Sequence, residues 1–357
     1  MKRKFVYFLI ISILLIITLS CKNKNSKDKI KKSQLKYKIL KHQKKKRIFF
    51  KNSLQLKKEI KFNSLKEEIY FPIGIRVQSL RSIYIFDGKA YKLHKLSLNE
   101  DFSKIKQTVF SGKSIRGKGP GEVSRLLDFK IYKNRIYLLD GGTNSLIIYS
   151  ENGSLVKTLK VKNNRGLVFM KFTFFNDVPL LCVYGMGDLF YLINYKGEVL
   201  KSFGGYIDKR YSENILYHQY SVSLPFHKKY FYYLPLYLGF VGIYENEKLK
   251  FVKETIGGER FPEFIQEEIN GAIVTKMKGL GFRTASKYAL GENFVVIKSI
   301  DMEKKIAYWD FYTIDSFDYL FSIKNPPLSY DFDAKKDYIV SVNEEGVKIF
   351  KIVMPRM

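Results

Sequence analysis

The chain has 357 residues, of which 46% are hydrophobic and 16% aromatic, and its formal net charge is +29 at pH 7. This apolar content excludes a wholly disordered chain, and the abundance of Tyr and Phe favours strands. The charge is concentrated at one end, because residues 1–70 hold 21 Lys or Arg against 4 Asp or Glu. Such a basic tail is typical of a solvated arm that is attracted to anionic surfaces.

The first twenty residues have the composition of a bacterial signal peptide. Lys2, Arg3 and Lys4 precede an uncharged apolar run from Phe5 to Leu19, which is shorter than the ~20 residues of a membrane span. The run ends in Thr18-Leu19-Ser20-Cys21, which resembles the bacterial lipobox, with Thr18 in the place of the usual Leu. We expect residues 1–20 to be removed and Cys21 to carry the lipid. An ordinary secretory signal and an uncleaved anchor are the alternatives.

The segment after the predicted lipid is rich in Lys, Asn, Ser and Gln. Residues 21–46 contain too few apolar side chains to offset the entropy of ordering, so they are predicted to form a disordered tether. Lys22, rather than Asp, follows Cys21, and the sorting rule of some bacteria with two membranes then permits transfer to the outer membrane, which is favoured over the inner one. We therefore expect a folded domain, residues 47–357, that the tether attaches to the cell envelope.

The remainder of the chain repeats one pattern of short apolar strands and polar turns. The clearest copy runs from Arg135 to Leu159 and includes the pair Asn152-Gly153, a strong hairpin signal. Aligning the copies on their first clear apolar strand, taken as the opening strand of each blade, gives six anchors: Ile83, Ile136, Leu180, Phe231, Phe294 and Ile339. Their spacing has the scale of propeller blades, so the sequence predicts an all-β fold, a six-bladed β-propeller.

Two further structural predictions concern the longest insertion and the closure of the ring. Pro262 to Asn270 has a Pro in its first turn, early acidic residues and apolar side chains that share one helical face, so a short helix is predicted. The last repeat ends near Val353, and only Met354 to Met357 follow, which is little chain for an outer strand of its own. A segment within Ile48 to Phe62 is therefore predicted to complete that blade. Removal of residues 22–46 is expected to leave the fold intact.

A glycine-rich motif stands before the second repeat. Arg116-Gly117-Lys118-Gly119-Pro120-Gly121-Glu122-Val123 matches neither the dinucleotide fingerprint nor the phosphate-binding loop, and a strand rather than a helix follows it. Gly117, Gly119, Pro120, Gly121 and Glu122 are predicted to form a structural loop between blades. With Ile136-Tyr137-Leu138-Leu139-Asp140, the motif resembles bacterial six-bladed propeller lipoproteins related to NHL-repeat and TolB-like propellers. The resemblance implies fold and cell-surface placement, and no reaction.

Candidate catalytic and metal-binding residues are sparse. The four histidines, at positions 42, 94, 218 and 227, lack ligand-like spacing. Asp331, Asp333 and Asp337 form the densest carboxylate cluster, which is interpreted as a solvated turn rather than a calcium loop. Cys182 lies in an apolar run and is predicted to be a small buried side chain. The sequence therefore predicts no catalytic residues, no metal site and no cofactor.

The function that these features favour is a non-catalytic binding or scaffold module for an envelope protein, peptide or glycan. The domain is expected to be monomeric, to meet the membrane through its N-terminal lipid and not to bind nucleic acid. A metal-dependent hydrolase or lactonase with its site in the central channel is one alternative. A structural envelope protein whose basic tether binds an anionic polymer is the other. Converging carboxylates in the channel would favour the hydrolase, and an exposed aromatic patch would favour the binding module.

Overall fold

A computed structural model describes residues 39–40, 46–50, 52–110, 115–162, 168–184, 188–205, 222–223, 230–235, 239–257, 263–269, 272–278 and 282–354. Within these ranges the regular structure consists of strands and one turn of 3-10 helix, Phe62–Ser64. Nowhere in the described part of the chain does a helix have the length and apolar character needed to cross a membrane. The all-β prediction is confirmed.

Seven sheets contain the described strands. In chain order the strands are β1 (Ile39–Leu40), β2 (Leu54–Lys61), β3 (Pro72–Ser79), β4 (Ser82–Asp87), β5 (Lys92–Leu98), β6 (Ile105–Val109), β7 (Leu126–Tyr132), β8 (Arg135–Asp140), β9 (Ser145–Ser150), β10 (Leu155–Lys160), β11 (Val168–Phe175), β12 (Val178–Tyr184), β13 (Phe190–Ile193), β14 (Val199–Phe203), β15 (Val222–Ser223), β16 (Tyr230–Leu234), β17 (Phe240–Glu245), β18 (Lys248–Glu254), β19 (Glu263–Ile269), β20 (Ala272–Lys278), β21 (Phe282–Leu290), β22 (Phe294–Asp301), β23 (Ile306–Thr313), β24 (Tyr319–Lys324), β25 (Asp331–Lys335), β26 (Tyr338–Val342) and β27 (Gly346–Ile352).

Six of the sheets are the blades of a propeller. From inner to outer strand they are β3–β6 (blade 1), β7–β10 (blade 2), β11–β14 (blade 3), β15–β18 (blade 4), β21–β24 (blade 5) and β25–β27 followed by β2 (blade 6). Each inner strand contacts the inner strand of the next blade, and β25 of blade 6 contacts β3 of blade 1. The inner strands therefore form a closed ring of six around a central channel, which confirms the predicted blade number.

Each of the six sequence anchors lies in the second strand of its blade, not in the opening strand. The second strands are the apolar ones because both of their faces pack against neighbouring blades; Ile83, Leu180 and Ile339 are fully buried. The inner strands escaped the repeat pattern because charged residues interrupt them, as Arg76 does in β3 and Lys130 in β7. The interpretation of the anchors as opening strands was wrong by one strand.

The ring closes as the sequence predicts, through a strand supplied by the N-terminal side. Strand β2 pairs antiparallel with β27, in a register that places Leu54 opposite Ile352 and Ile60 opposite Val347. A register shift between Leu56 and Lys58 interrupts the alternation of the strand. The Ile60 side chain is buried in the core between blades 6 and 1, so β2 contributes both hydrogen bonds and apolar burial.

The chain before β2 also contacts two other blades. Strand β1 pairs in parallel with β18, the outer strand of blade 4, and Phe49 forms a parallel bridge with Ser322 in the outer strand of blade 5. The described residues 39–40, 46–50 and 52–61, which we call the N-terminal strap, thus contact the outer strands of blades 4, 5 and 6. At Ile39–Leu40 the structure has a strand where the sequence predicted disorder. Apart from these two residues and Lys46, the predicted signal peptide and tether lie outside the described residues.

The predicted helix at residues 262–270 is wrong. Residues 263–269 form β19, which pairs antiparallel with β20 in a separate two-stranded sheet. Ile269 pairs with Ala272, so Asn270-Gly271 is the connection, and Asn-Gly is a strong signal for a two-residue hairpin. This dipeptide in the sequence was a better guide to the element than the apolar spacing was.

Candidate functional site

The glycine-rich motif lies between the outer strand of blade 1 and the inner strand of blade 2. The Gly119 amide donates a hydrogen bond of 2.9 Å to the Glu122 carboxylate, and the Glu122 amide donates one of 2.9 Å to the Gly119 carbonyl. A Cβ at Gly117 would lie 1.9 Å from the same carboxylate. Pro120 lies within this turn. The geometry is that of a loop closed on its own Glu122, and its structural role remains a prediction.

Replacing Gly121 by Ala is expected to lower the free energy of unfolding by about 1–2 kcal/mol, because Gly121 has a left-handed φ of 76° that a Cβ opposes. The added Cβ would also meet Leu155 at 3.0 Å. The matched control is Gly205→Ala, since Gly205 is exposed and nothing lies within 4 Å of its Cβ position. Chemical denaturation of both variants is the measurement. Equal stability of the two would contradict a structural loop.

The inner strands place a set of charged side chains around the channel. Arg76 of β3 is at its centre, because its guanidinium donates to the Asp128 carboxylate of blade 2 at 2.7 Å and to the Asp331 carboxylate of blade 6 at 3.0 Å. It also donates to the Phe129 carbonyl at 2.8 Å and lies 4.8 Å from the centre of the Phe129 ring. One side chain therefore joins the inner strands of three consecutive blades.

Three lysines extend this network around the channel. Lys171 of blade 3 lies 3.8 Å from Asp128, and Lys287 of blade 5 lies 3.4 Å from Asp331. Lys130 of blade 2 donates to the Tyr288 hydroxyl of blade 5 at 3.2 Å, a contact between opposite sides of the six-membered ring. We call Arg76, Asp128, Lys130, Lys171, Lys287 and Asp331 the channel cluster.

The pKa values of the cluster reflect burial and the neighbouring charges. Burial raises the pKa of Asp128, but the Lys171, Lys130 and Arg76 cations outweigh it and hold that pKa well below its usual value. The pKa of Asp331 is lowered in the same way, with burial again opposed, chiefly by Lys287 and Arg76. Burial, together with the cations around it, lowers the pKa of Lys171 to about 8. The cluster thus holds ionised carboxylates among a larger number of cations.

The interpretation of Asp331, Asp333 and Asp337 as one solvated turn is wrong for the first two. Asp331 and Asp333 lie on β25, where their carboxylates accept hydrogen bonds from the Ile75 and Val77 amides of blade 1 at 3.1 Å and 2.7 Å. These carboxylates accept the hydrogen bonds that a neighbouring strand would accept at the inner edge of β3. A local sequence pattern cannot reveal such a contact between distant residues. Asp337 lies in the following turn and is half exposed. Within the described residues, no three His, Cys, Asp or Glu side chains are placed to hold a metal ion.

An exposed apolar patch lies on the face that carries the connections between blades. It consists of Tyr70 and Phe71, which precede inner strand β3, and Leu328 and Tyr330, which precede inner strand β25; we call these four residues the rim patch. Their exposed fractions run from 37% to 74%. The Phe71 and Tyr330 ring centres are 5.8 Å apart, so blades 6 and 1 contribute to one surface.

A buried carboxylate fixes the backbone beneath this surface. Asp87, at the end of β4, is fully buried and accepts hydrogen bonds from the amides of Tyr70 at 2.9 Å and Phe71 at 3.2 Å. The Lys89 ammonium group lies 4.8 Å from the centre of the Tyr70 ring. Tyr330 directly precedes Asp331 of the channel cluster, so the rim patch continues into the channel along β25. The surface is therefore held in place while its side chains remain open to solvent.

The sequence contained a signal for the channel residues that the repeat alignment did not use. A charged residue stands six to nine positions before the anchor in five of the six repeats: Arg76, Lys130, Lys171, Lys287 and Asp333.

The cysteine and the histidine that the structure describes do not contribute to the channel cluster. Cys182 is fully buried in β12, which confirms that prediction, and His94 is buried in β5 with a contact of 3.0 Å to Gln107. Cys21, His42, His218 and His227 lie outside the described residues.

Comparison with known proteins yields solved structures only; no family model and no curated protein matches the chain. An exported protein from Bacteroides fragilis has a TM-score of 0.55 at 11% identity, over 88% of this chain and 99% of that chain. A member of the DUF4221 family from Bacteroides vulgatus has a TM-score of 0.55 at 10% identity, over 84% of this chain and 98% of that chain. Likenesses at these identities concern the fold alone. With the geometry above, they show that the chain is a six-bladed β-propeller.

Proposed function

We propose that this chain is a lipid-anchored protein of the bacterial cell envelope, held by a lipid on Cys21 and facing away from the cytoplasm. The signal-like N-terminus and the lipobox-like Thr18-Leu19-Ser20-Cys21 support the proposal. The exported character of the structural neighbour from Bacteroides fragilis agrees with it. Lys22 after the modified Cys favours the outer membrane over the inner one. In this arrangement residues 21–46 are the tether, apart from the two residues of β1.

Replacing Cys21 by Ala is expected to move the protein from the detergent phase to the aqueous phase in a detergent partition of whole cells. The reason is that stable anchoring needs two or more acyl chains, and Cys21 is their only attachment point in this proposal. Cys182→Ala is the matched control, because it removes the other cysteine of the chain and leaves the lipobox intact. A Cys21→Ala protein that stays with the detergent would exclude lipid anchoring at this residue.

We propose further that the propeller is a non-catalytic binding module, and that its ligand, an envelope protein, peptide or glycan, lies on the rim patch. The observation that carries this proposal is the rim patch itself: three aromatic residues and Leu328, from blades 6 and 1, are exposed together, and Asp87 fixes the backbone of Tyr70 and Phe71. Exposed apolar surface next to a channel mouth is typical of interaction sites. The domain is proposed to act as a monomer.

The channel geometry bears on the hydrolase alternative. A channel metal site needs carboxylates that converge on a common point with free oxygens. In the described residues Asp128 and Asp331 instead accept hydrogen bonds from Arg76, and Asp333 accepts one from a backbone amide. These carboxylates join neighbouring blades, so the observed arrangement favours the binding module.

The double variant Tyr70→Ser, Phe71→Ser is expected to reduce ligand capture about tenfold or more, because aromatic side chains dominate the free energy of most interfaces. The measurement is the amount of protein, peptide or glycan retained from a purified envelope fraction by the immobilised propeller. The control is Val199→Ser, Leu200→Ser, which changes two adjacent exposed apolar residues on the outer strand of blade 3. Equal retention by the two double variants would contradict binding at the rim patch.

A further inference from the structure

The channel cluster is layered, with its carboxylates covered and its cations facing the lumen. The Asp128 and Asp331 side chains are 1% and 5% exposed. The cations over them are more open: Lys130 is 13%, Arg76 19%, Lys171 26% and Lys287 36% exposed. The cations of the cluster are therefore more accessible to a solute in the channel than its two carboxylates are.

The cations of the cluster are not fully used by these carboxylates. Arg76 makes hydrogen-bonded ion pairs with both Asp128 and Asp331, at 2.7 Å and 3.0 Å. The lysines are farther away: Lys171 lies 3.8 Å and Lys130 4.0 Å from Asp128, beyond hydrogen-bond length. An ammonium group has three donors, and for Lys130 and Lys171 the hydrogen bonds in the described structure go to the Tyr288 hydroxyl and the Leu127 carbonyl. Donors remain for a further acceptor.

The lysines also repel one another across the channel. The positive charges of Lys287, Arg76 and Lys130 add to burial in lowering the pKa of Lys171 to about 8, against the attraction of Asp128. Asp128 and Asp331 offset part of this repulsion, through ion pairs of 3.4–4.0 Å with the three lysines. A further anion bound among the lysines would offset more of it.

We propose that the channel is a binding site for an oxyanion, the carboxylate or phosphate group of a ligand, held by Lys130, Lys171 and Lys287 beside Arg76. The Tyr288 hydroxyl, which contacts Lys130, adds a hydrogen-bonding group at the same place. Charge-assisted hydrogen bonds of ammonium groups to oxyanions are short and strong, and the partial burial of the site increases their strength. The inference deepens the proposed binding function: it assigns a negative charge to the part of the rim-patch ligand that enters the channel.

The test uses free anions, so it does not depend on identification of the ligand. Inorganic phosphate and, separately, acetate are titrated into the protein at constant ionic strength set with chloride, and binding is followed by calorimetry. Saturable binding of either anion supports the site, and the stronger of the two identifies the group it takes. The double variant Lys171→Gln, Lys287→Gln is expected to bind that anion at least tenfold more weakly, while Arg76 still pairs with Asp128 and Asp331.

Two controls separate the site from general charge effects and from misfolding. Lys106→Gln, Lys160→Gln removes the same charge from exposed positions on outer strands and is expected to change the affinity less than twofold. Lys171→Arg, Lys287→Arg keeps the charge and is expected to retain binding. Near-ultraviolet circular dichroism of each variant checks the fold. Absence of saturable binding to both anions, or equal loss in the surface control, would overturn the anion site, whereas the rim-patch experiment decides the proposed function separately.

Discussion

Replacing Arg76 by Met is expected to lower the free energy of unfolding by about 3–5 kcal/mol, because removing one partner of a buried ion pair leaves uncompensated charge behind. Asp128 and Asp331 would both lose their hydrogen-bonded cation, and both are nearly inaccessible to water. The Phe129 carbonyl would lose its donor as well. Urea denaturation followed by circular dichroism measures the change.

The control for Arg76 is a residue of the same type in an exposed ion pair. Arg81 pairs with Glu100, and their side chains are 60% and 80% exposed. Exposed pairs of this kind contribute about 0–1 kcal/mol, so Arg81→Met is expected to be nearly neutral. If the two variants lost the same stability, the guanidinium of Arg76 would not join the blades in the way its contacts indicate.

Removing the N-terminal strap in steps is expected to separate the stability that β2 contributes from the stability that the residues before β2 contribute. A chain that begins at residue 63 lacks β2, so the edge of β27 is unpaired and the core around Ile60 is opened. This chain is expected to aggregate or to unfold without a sharp transition, because a seven-residue strand edge with an exposed apolar core invites pairing with other chains. A chain that begins at residue 39 keeps the whole strap and is expected to unfold cooperatively.

An intermediate chain measures the contribution of the strap residues before β2, among them Arg47. The Arg47 guanidinium donates to both oxygens of the Asp310 carboxylate, at 2.9 Å and 3.0 Å, and lies 4.2 Å from the centre of the Tyr308 ring. A chain that begins at residue 52 keeps β2 but leaves the buried Asp310 without this cation, so it is expected to be destabilised and still cooperative. Thermal unfolding at two protein concentrations compares the three chains. A sharp transition at the same temperature in the shortest chain would show that β2 does not close the ring.

The propeller could be predicted from the sequence because the second strand of each blade can be recognised from its own residues. Strands such as Ile83 to Asp87 and Ile136 to Asp140 are buried on both faces, so nearly every residue is apolar wherever the strand occurs. The closing strand was predictable because the segment before the first repeat alternates partly, with Leu54, Leu56, Ile60 and Phe62 in phase. Local composition and patterning carried these predictions.

The hairpin shows where local reasoning failed although a local signal existed. Between Pro262 and Asn270 the apolar spacing fits a helix, but in the sequence Asn270-Gly271 lies midway between two segments of equal length. As a sequence signal, an Asn-Gly pair between two strand-like segments favours a two-residue hairpin and outweighs a weak helical period.

The candidate site was decided only by the tertiary structure. Arg76 and Asp331 are 255 positions apart, and β3 and β25 become neighbours only when the ring closes. In the sequence each charged residue of an inner strand interrupts an apolar run and resembles a solvated position. The sequence by itself determined the six repeats, the buried Cys182 and the closing segment, because burial of a strand is recorded in its own residues. The grouping of charges in the channel and the contact of Phe71 with Tyr330 depend on which strands become neighbours. Only closure of the ring determines that.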